Sequence, residues 1–307
     1  MTRGVRVAPW LPGSSSLLAL AVLAGCATPP APVPVSRQLP VPQQQAAPAP
    51  AETVDDHVFA LQGTLTQGGY AIGQAPVGTV SLTLDGQPVT LAEDGRFPIG
   101  FSRDAPPVAR LEAVLADGRK VIARITIAQR HYDVQSIPGL PGKSSPDPAY
   151  EKLRRAERAR IDGARALHLA SDGWRQQWLW PVTGRISGVY GSQRILGGVP
   201  HSPHFGVDIA APAGTPIVAP ADGVVVLASP PAFSLEGNLL IIDHGMGVNT
   251  AYLHMSRIDV VQGDHVRRGQ VIGLVGSTGR ATGPHLHWTA NWLDRRLDPA
   301  LVAGPMP

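Results

Sequence analysis

Seven of the ten histidines lie between residues 201 and 287, and their spacing carries chemistry. In His285-Leu286-His287 two imidazoles flank one apolar residue. Side chains of a strand repeat on one face every second residue, so both imidazoles point the same way. In His204-Phe205-Gly206-Val207-Asp208 a histidine and a carboxylate stand four apart, again on one face of an extended segment. Two histidines with one carboxylate make a catalytic zinc set, because three protein ligands leave one position open for water. A structural zinc site more often uses four thiolate-rich ligands, and this chain has a single cysteine, Cys26.

The remaining histidines of the region read differently. His244 precedes Gly245 in a turn and is expected to be structural. His201 lies close to His204, but the residue four places on is Phe205 rather than an acid, so it is set aside. His265 sits in the polar run Gln262-Gly263-Asp264 and is expected on the surface.

These residues need strands and tight turns to hold them. From Trp180 onwards, β-branched runs alternate with glycine, as in Gly223-Val224-Val225-Val226-Leu227, Asn238-Leu239-Leu240-Ile241-Ile242 and Val271-Ile272-Gly273-Leu274-Val275. Helical periodicity is absent there, which predicts an all-β domain. Upstream, Val80 to Leu84 and Val121 to Ile127 alternate in the strand manner, and Asp85-Gly86, Asp94-Gly95 and Asp117-Gly118 are hairpin signals. Residues 57–136 are therefore expected to form a small antiparallel β-sandwich with no catalytic cluster.

Between the two β regions, residues 137–146 are Pro/Gly/Ser linker and 147–170 read as a helix, with Asp147 as cap and Pro148 at the first position. Arg154, Arg155, Arg158 and Arg160 make this helix basic. A solvated face is the simpler reading, and a face turned to an anionic polymer is the other.

The segments His204 to Asp208, Tyr252-Leu253-His254 and Gly279-Arg280-Ala281-Thr282-Gly283-Pro284-His285-Leu286-His287 resemble the signature of the lysostaphin/LytM-type zinc metallopeptidases. Ala219-Pro220-Ala221-Asp222-Gly223-Val224-Val225, Ile242-Asp243-His244-Gly245 and Gly269-Gln270-Val271-Ile272-Gly273 follow in the matching order. The resemblance covers about residues 180–290. It implies a β-sheet domain with a groove and one zinc ion, held by His204, Asp208 and His287. It implies that His254 and His285 are uncoordinated catalytic histidines. Lacking a His-Glu-x-x-His glutamate, the site would rely on those two for proton transfer and oxyanion stabilisation. By analogy Tyr190, Arg194, Thr278 and Thr282 are expected along the groove. The substrate class implied is peptidoglycan, cut at its peptide cross-links, with the directly linked D,D bond as first expectation.

The N-terminal end fits that setting. Arg3 and Arg6 precede the short apolar run Leu17 to Ala24, which ends in Leu23-Ala24-Gly25-Cys26. This is the layout of an export signal, too short to span a bilayer. It resembles a bacterial lipobox, which implies cleavage before Cys26 and a lipid on it. Ala27, where aspartate would favour the inner membrane, points to the outer membrane, facing the periplasm. Residues 27–56 are rich in Ala, Pro and Gln and read as an extended tether. The expected organisation is thus signal (1–26), tether (27–56), β-sandwich-like domain (57–136), linker and helix (137–173) and LytM-type domain (174–307). A fragment starting near residue 174 is expected to fold and bind zinc.

Composition narrows the alternatives. Hydrophobic residues make up 43% and the net charge is +3, enough apolar content for cores and far from a nucleic-acid signature. Some LytM-type proteins have lost zinc ligands and activate wall amidases instead; here the full ligand set is present. The stretch Val261 to Gln270 resembles biotinyl and lipoyl carrier domains, but no lysine stands between Trp174 and Pro307 to be modified.

Overall fold

Alternating burial builds the first half of the molecule. In Val108–Leu115 every second side chain is buried, and Asp117-Gly118 turns the chain back into Lys120–Thr126. Gly118 takes φ +85° there, a left-handed conformation that glycine adopts without steric cost. The computed structural model describes residues 52–137 and 147–307. The export signal with Cys26, most of the expected tether and residues 138–146 lie outside the described residues.

In chain order the first strands are β1 (Glu52–Val54), β2 (Gln62–Gly63), β3 (Tyr70–Gln74), β4 (Thr79–Leu84), β5 (Gln87–Pro88), β6 (Arg96–Gly100), β7 (Val108–Leu115), β8 (Lys120–Thr126) and β9 (Val134–Ile137). A five-stranded sheet has the order β1-β8-β7-β4-β5, and a three-stranded sheet the order β2-β3-β6. Leu82, Leu84 and Leu111 from the first share a buried core with Phe97, Ile99 and Tyr70 from the second. β1 lies inside the range expected to be tether: Glu52-Thr53-Val54 follows the Pro/Ala/Gln run and pairs in parallel with β8.

Helix α1 (Pro148–Arg165) begins as the sequence predicts, with the Asp147 carboxylate accepting from Ala149 N and proline in the first turn. It stops short of residue 170. The chain leaves the helix axis so that Leu169 N can donate to the Asp243 carboxylate. The four arginines do not all share one face, although Arg154 and Arg158 both line the groove described below. Arg154 is buried between Glu157 and Glu236, Arg155 is exposed, and Arg160 lies 4.6 Å over the Phe233 ring.

The later strands are β10 (Arg185–Gly188), β11 (Gln193–Leu196), β12 (Val199–Pro200), β13 (Val207–Ala210), β14 (Pro216–Val218), β15 (Gly223–Ala228), β16 (Asn238–Asp243), β17 (Val248–Met255), β18 (Arg257–Ile258), β19 (His265–Val266), β20 (Val271–Leu274), β21 (His285–Trp292) and β22 (Arg295–Leu297), followed by α2 (Pro299–Ala303). The main sheet runs β10-β13-β21-β17-β16-β15-β19, with β22 added beside β21. The fold is mainly β, as the sequence predicts.

One face of β21 carries Leu286, Trp288, Ala290 and Trp292, all buried in a core cluster that continues into Trp174, Leu111 and Phe97. The two β regions are thus packed through one core rather than two. The other face carries His285, His287, Thr289 and Asn291. Over part of that face lies α1, where Ile161 and Ala164 pack against Val226, Leu227, Leu239, Ile241 and Ala251. Burying a side chain such as Ile161 is worth roughly 1.5–3 kcal/mol. Among the described residues no helix is long and apolar enough to cross a membrane.

Candidate metal centre

The centre is built across three adjacent strands. Asp208 on β13 stands directly opposite His287 on β21, and Leu253, just before His254 at the end of β17, stands opposite His287 from the other side. His204 comes from the loop before β13. This loop is tied down by its own backbone: His204 N donates to Ser192 O, and its carbonyl accepts from Gly191 N.

His204 Nε2 lies 3.1 Å from Asp208 Oδ1 and 3.0 Å from His287 Nδ1, and His287 Nδ1 lies 2.7 Å from the same carboxylate oxygen. The tautomer of His204 matters here. Its Nδ1 is 3.1 Å from Val189 O, a carbonyl that can only accept, so Nδ1 carries a proton. A neutral His204 then turns the lone pair of Nε2 towards a carboxylate and a second imidazole. That arrangement requires positive charge at its centre, supplied by protons or by a cation. Without a metal the charge falls on the imidazole: burial lowers His204, but the hydrogen bond and charge of Asp208 outweigh it and leave the pKa raised. Burial raises Asp208, yet its bonds to His204 and His287 reverse this and hold it far below the usual carboxylate range. Two imidazole nitrogens and one carboxylate oxygen in contact are the donor set that suits a zinc ion with one open position.

Two more imidazoles flank the cluster. His254 and His285 have ring centroids 4.9 Å apart, and His254 is 6.3 Å from His287. His254 Nδ1–H donates to Thr278 O at 2.8 Å, leaving Nε2 unprotonated in the neutral ring. His285 Nδ1 makes the matching bond to Gly283 O at 2.8 Å, and its Nε2 reaches to 3.9 Å from Asp208 Oδ1. His254 itself takes φ +63°, a left-handed conformation that costs a non-glycine residue about 1–2 kcal/mol. It is held there by Glu236 O, which accepts from His254 N. Burial lowers the His254 pKa, the Thr278 bond opposes this, and the charges of His285 and His287 reinforce it. His254 is therefore neutral at neutral pH.

The cluster opens onto a groove of about 960 Å³, walled by α1 on one side and by the loop around His201 and Arg194 on the other.

The comparisons with known proteins agree with this geometry. The model of peptidase family M23 matches residues 202–299. A crystal structure assigned to peptidase M23, from Pseudomonas aeruginosa, matches with 30% identity and a TM-score of 0.59, covering 79% of this chain and 96% of that one. The chain belongs to peptidase family M23. Among curated relatives, peptidoglycan DD-endopeptidase ShyA of Vibrio cholerae is 34% identical over 72% of this chain and 48% of its own length. DD-carboxypeptidase/endopeptidase Mpg of Neisseria meningitidis is 48% identical over 34% of this chain and 24% of its own length. The chain thus spans about half the length of the first relative and less of the second.

Of the residues singled out in the sequence, the structure brings His204, Asp208, His254, His285 and His287 into one cluster. The groove-lining expectation needs correction at Tyr190. Arg194 lines the groove. Tyr190 does not: it is buried, donates its hydroxyl to Arg296 O and packs on Phe205 and Tyr132. Thr278 bonds Met255 O with its hydroxyl while its carbonyl orients the His254 imidazole. Thr282 is exposed on the loop before β21. His244 is fully buried, with Nδ1–H donating to Asp222 O and Nε2 accepting from Thr250 Oγ1. His201, set aside on spacing, lines the groove. Spacing also missed Gly188, where an added Cβ would lie 2.3 Å from Asp208 Oδ2. Only glycine leaves room for that carboxylate.

Proposed function

We propose that this M23 chain is a zinc-dependent endopeptidase that hydrolyses the peptide cross-links of peptidoglycan, with the directly linked D,D bond as its target. The observation that carries the reading is the convergence of His204 Nε2, Asp208 Oδ1 and His287 Nδ1 beside two further imidazoles. The peptidoglycan substrate is supported by the names of ShyA and Mpg.

His204, Asp208 and His287 would hold one zinc ion. When bound, it supplies a Lewis acid that polarises the scissile carbonyl and acidifies water to a pKa of about 7. The rest is work for the protein's own side chains. Neutral His254, oriented by Thr278 O, takes a proton from water at Nε2 and then delivers it to the leaving amine. His285, fixed by Gly283 O, presents its Nε2 on the same side; in its imidazolium form it donates Nε2–H to the negative charge developing on the carbonyl oxygen. α1 and the His201 loop wall the groove and keep an extended peptide in line with these groups.

We further place the protein at the outer membrane facing the periplasm, anchored by a lipid on Cys26. This rests on the signal-like N-terminus and the lipobox-like Leu23-Ala24-Gly25-Cys26. Intact-mass measurement of the mature protein tests it: a diacylglyceryl-sized addition on Cys26 is expected, and an unmodified thiol overturns it.

The enzymatic reading is tested by digesting purified peptidoglycan with zinc-loaded protein and mass analysis of the released fragments. Cross-linked muropeptide dimers should give way to monomers, and a chelator should stop this. The regulatory alternative, activation of a wall amidase, would leave cross-links intact; the complete donor set weighs against it.

A further inference from the structure

The far end of the groove holds side chains that the hydrolytic reaction does not use. Arg165, the last residue of α1, and Arg296 on β22 both line it. Arg165 Nε is buried without a hydrogen-bond partner among the described residues. Arg296 donates Nη1 to Asn291 Oδ1 at 3.0 Å, a neutral partner. The acids within range of Arg165 are Asp162 and Glu236, and Glu236 is already engaged by Arg154 through both its oxygens. Asp162 is exposed on the preceding turn. Burial, reinforced by repulsion from Arg296, pushes Arg165 down to about 9, and burial lowers Arg296 too. Asp162 is the one carboxylate acting on both guanidinium groups, so the pair carries surplus positive charge in the free protein.

Thr289 adds an independent signal. It is only 4% exposed, lines the groove, and its hydroxyl has no partner among the described residues. It follows His287 by one repeat on the same face of β21, and Asn291, the next on that face, stands opposite Arg296. At about 6.5 Å per two residues, the arginine end lies roughly 13 Å from His287. That is the reach of about four residues of extended peptide.

We propose that Arg165 and Arg296, together with the Thr289 hydroxyl, form a subsite that binds a free carboxylate of the peptide seated in the groove. Guanidinium groups recognise carboxylates through paired, charge-assisted hydrogen bonds, and an orphan hydroxyl beside them completes the acceptor's shell. The identity of the peptide rests on the reading of the groove as a peptidoglycan site: stem peptides keep free carboxylates at their branched residues. The subsite selects stems in which that carboxylate is free over stems in which it is a carboxamide.

Calorimetric binding of synthetic stem tetrapeptides, which lack a cross-link to cut, tests this with the zinc-loaded full chain. One peptide carries all its side carboxylates free, and each of the others has a single one converted to carboxamide. One amidation is expected to weaken binding about 10- to 100-fold, the span for a hydrogen bond to a charged group. Arg165→Gln should abolish that difference, and Thr289→Val, a near-isosteric change, should shrink it several-fold. Equal binding of all peptides to the wild type overturns the proposal, as does undiminished discrimination in both variants. If no peptide binds and purified peptidoglycan is not cut, the reading of the groove fails and the subsite falls with it; binding without discrimination sinks the subsite alone.

Discussion

One face of one sheet carries two opposite imbalances. At its open end, around His287, two imidazole nitrogens and a carboxylate oxygen converge within 3.1 Å of one another, a set that favours positive charge between them. At the end covered by α1, around Asn291, two guanidinium groups share the single carboxylate of Asp162, leaving surplus positive charge. Both ends sit on β21 and share its alternation; what differs is the neighbours. β13 brings a carboxylate to His287, whereas β22 brings an arginine to Asn291. The same strand geometry thus makes a metal site or an anion site, according to the charge set beside it.

The largest effect should come from breaking the open end. His204→Ala, Asp208→Ala and His287→Ala each leave too few ligands for tight binding, so zinc content and wall-cleaving activity should fall to background together. Elemental analysis of the purified variants beside peptidoglycan turnover checks this. Should His285→Ala release the metal while His287→Ala keeps it, the two roles within the His-Leu-His pair are exchanged.

Next in size are His254→Ala and His285→Ala. Neither removes one of the three converging donors, so both variants should keep zinc while turnover falls on the order of 100- to 10,000-fold. The pKa of His254 is lowered by burial and by its imidazole neighbours, so its neutral form persists below the ordinary histidine value of about 6.5. Activity should be lost on acidification through that lowered value. An acid limb unchanged in His254→Gln would assign the titration elsewhere.

The covered end is tested by stability. Ile161→Ala removes a side chain that packs α1 on Leu239 and Ile241, and should cost about 2–4 kcal/mol in urea unfolding. A fragment starting at residue 174 loses the whole helix and leaves that apolar face bare. It is expected to aggregate, or to need detergent for solubility; a fragment from residue 147 keeps the helix but still loses the strands that share the core of β21, so it should be less soluble than the full chain. A soluble, zinc-binding 174–307 fragment would show that the covered end is dispensable to the open one.

How much of this was legible follows from how each part is encoded. His204, Asp208, His285 and His287 lie in short segments whose two- and four-residue spacing survives in the strands, so local sequence exposes them. Alternation and Asp-Gly turns likewise announce the β architecture. Arg165, Thr289 and Arg296 come from a helix end and two strands, and only the docking of α1 brings them together; no spacing encodes that. The helix pattern says that α1 has a buried face, not that this face walls the groove. Tyr190 misled because a loop aromatic near a site looks available, whereas its hydroxyl and ring are taken up by Arg296 O, Tyr132 and Phe205. Gly188 escaped notice because its reason is the space taken by Asp208 across the ladder.

A smaller and graded effect separates the histidines of the domain by their partners. His204 faces a carboxylate and is raised, whereas His244 is wholly buried with a backbone carbonyl and the Thr250 hydroxyl for company and is pushed down to about 4. A base depressed in the folded state binds its proton more readily once unfolded, at about 6.5. The stability that His244 contributes is therefore fully present above that value and is lost as pH falls towards 4. The loss should be about 1 kcal/mol at pH 6 and about 2 kcal/mol at pH 5, from the linkage relation. Comparing urea unfolding of the wild type and His244→Gln across this range isolates the contribution. The variant should start less stable at pH 7, because the chain from Asp222 O through His244 to Thr250 and Tyr252 is broken, but its stability should fall less steeply with acid. Parallel slopes for the two proteins would mean that His244 is protonated in the folded state as readily as in the unfolded one, and that its burial imposes no penalty on charge.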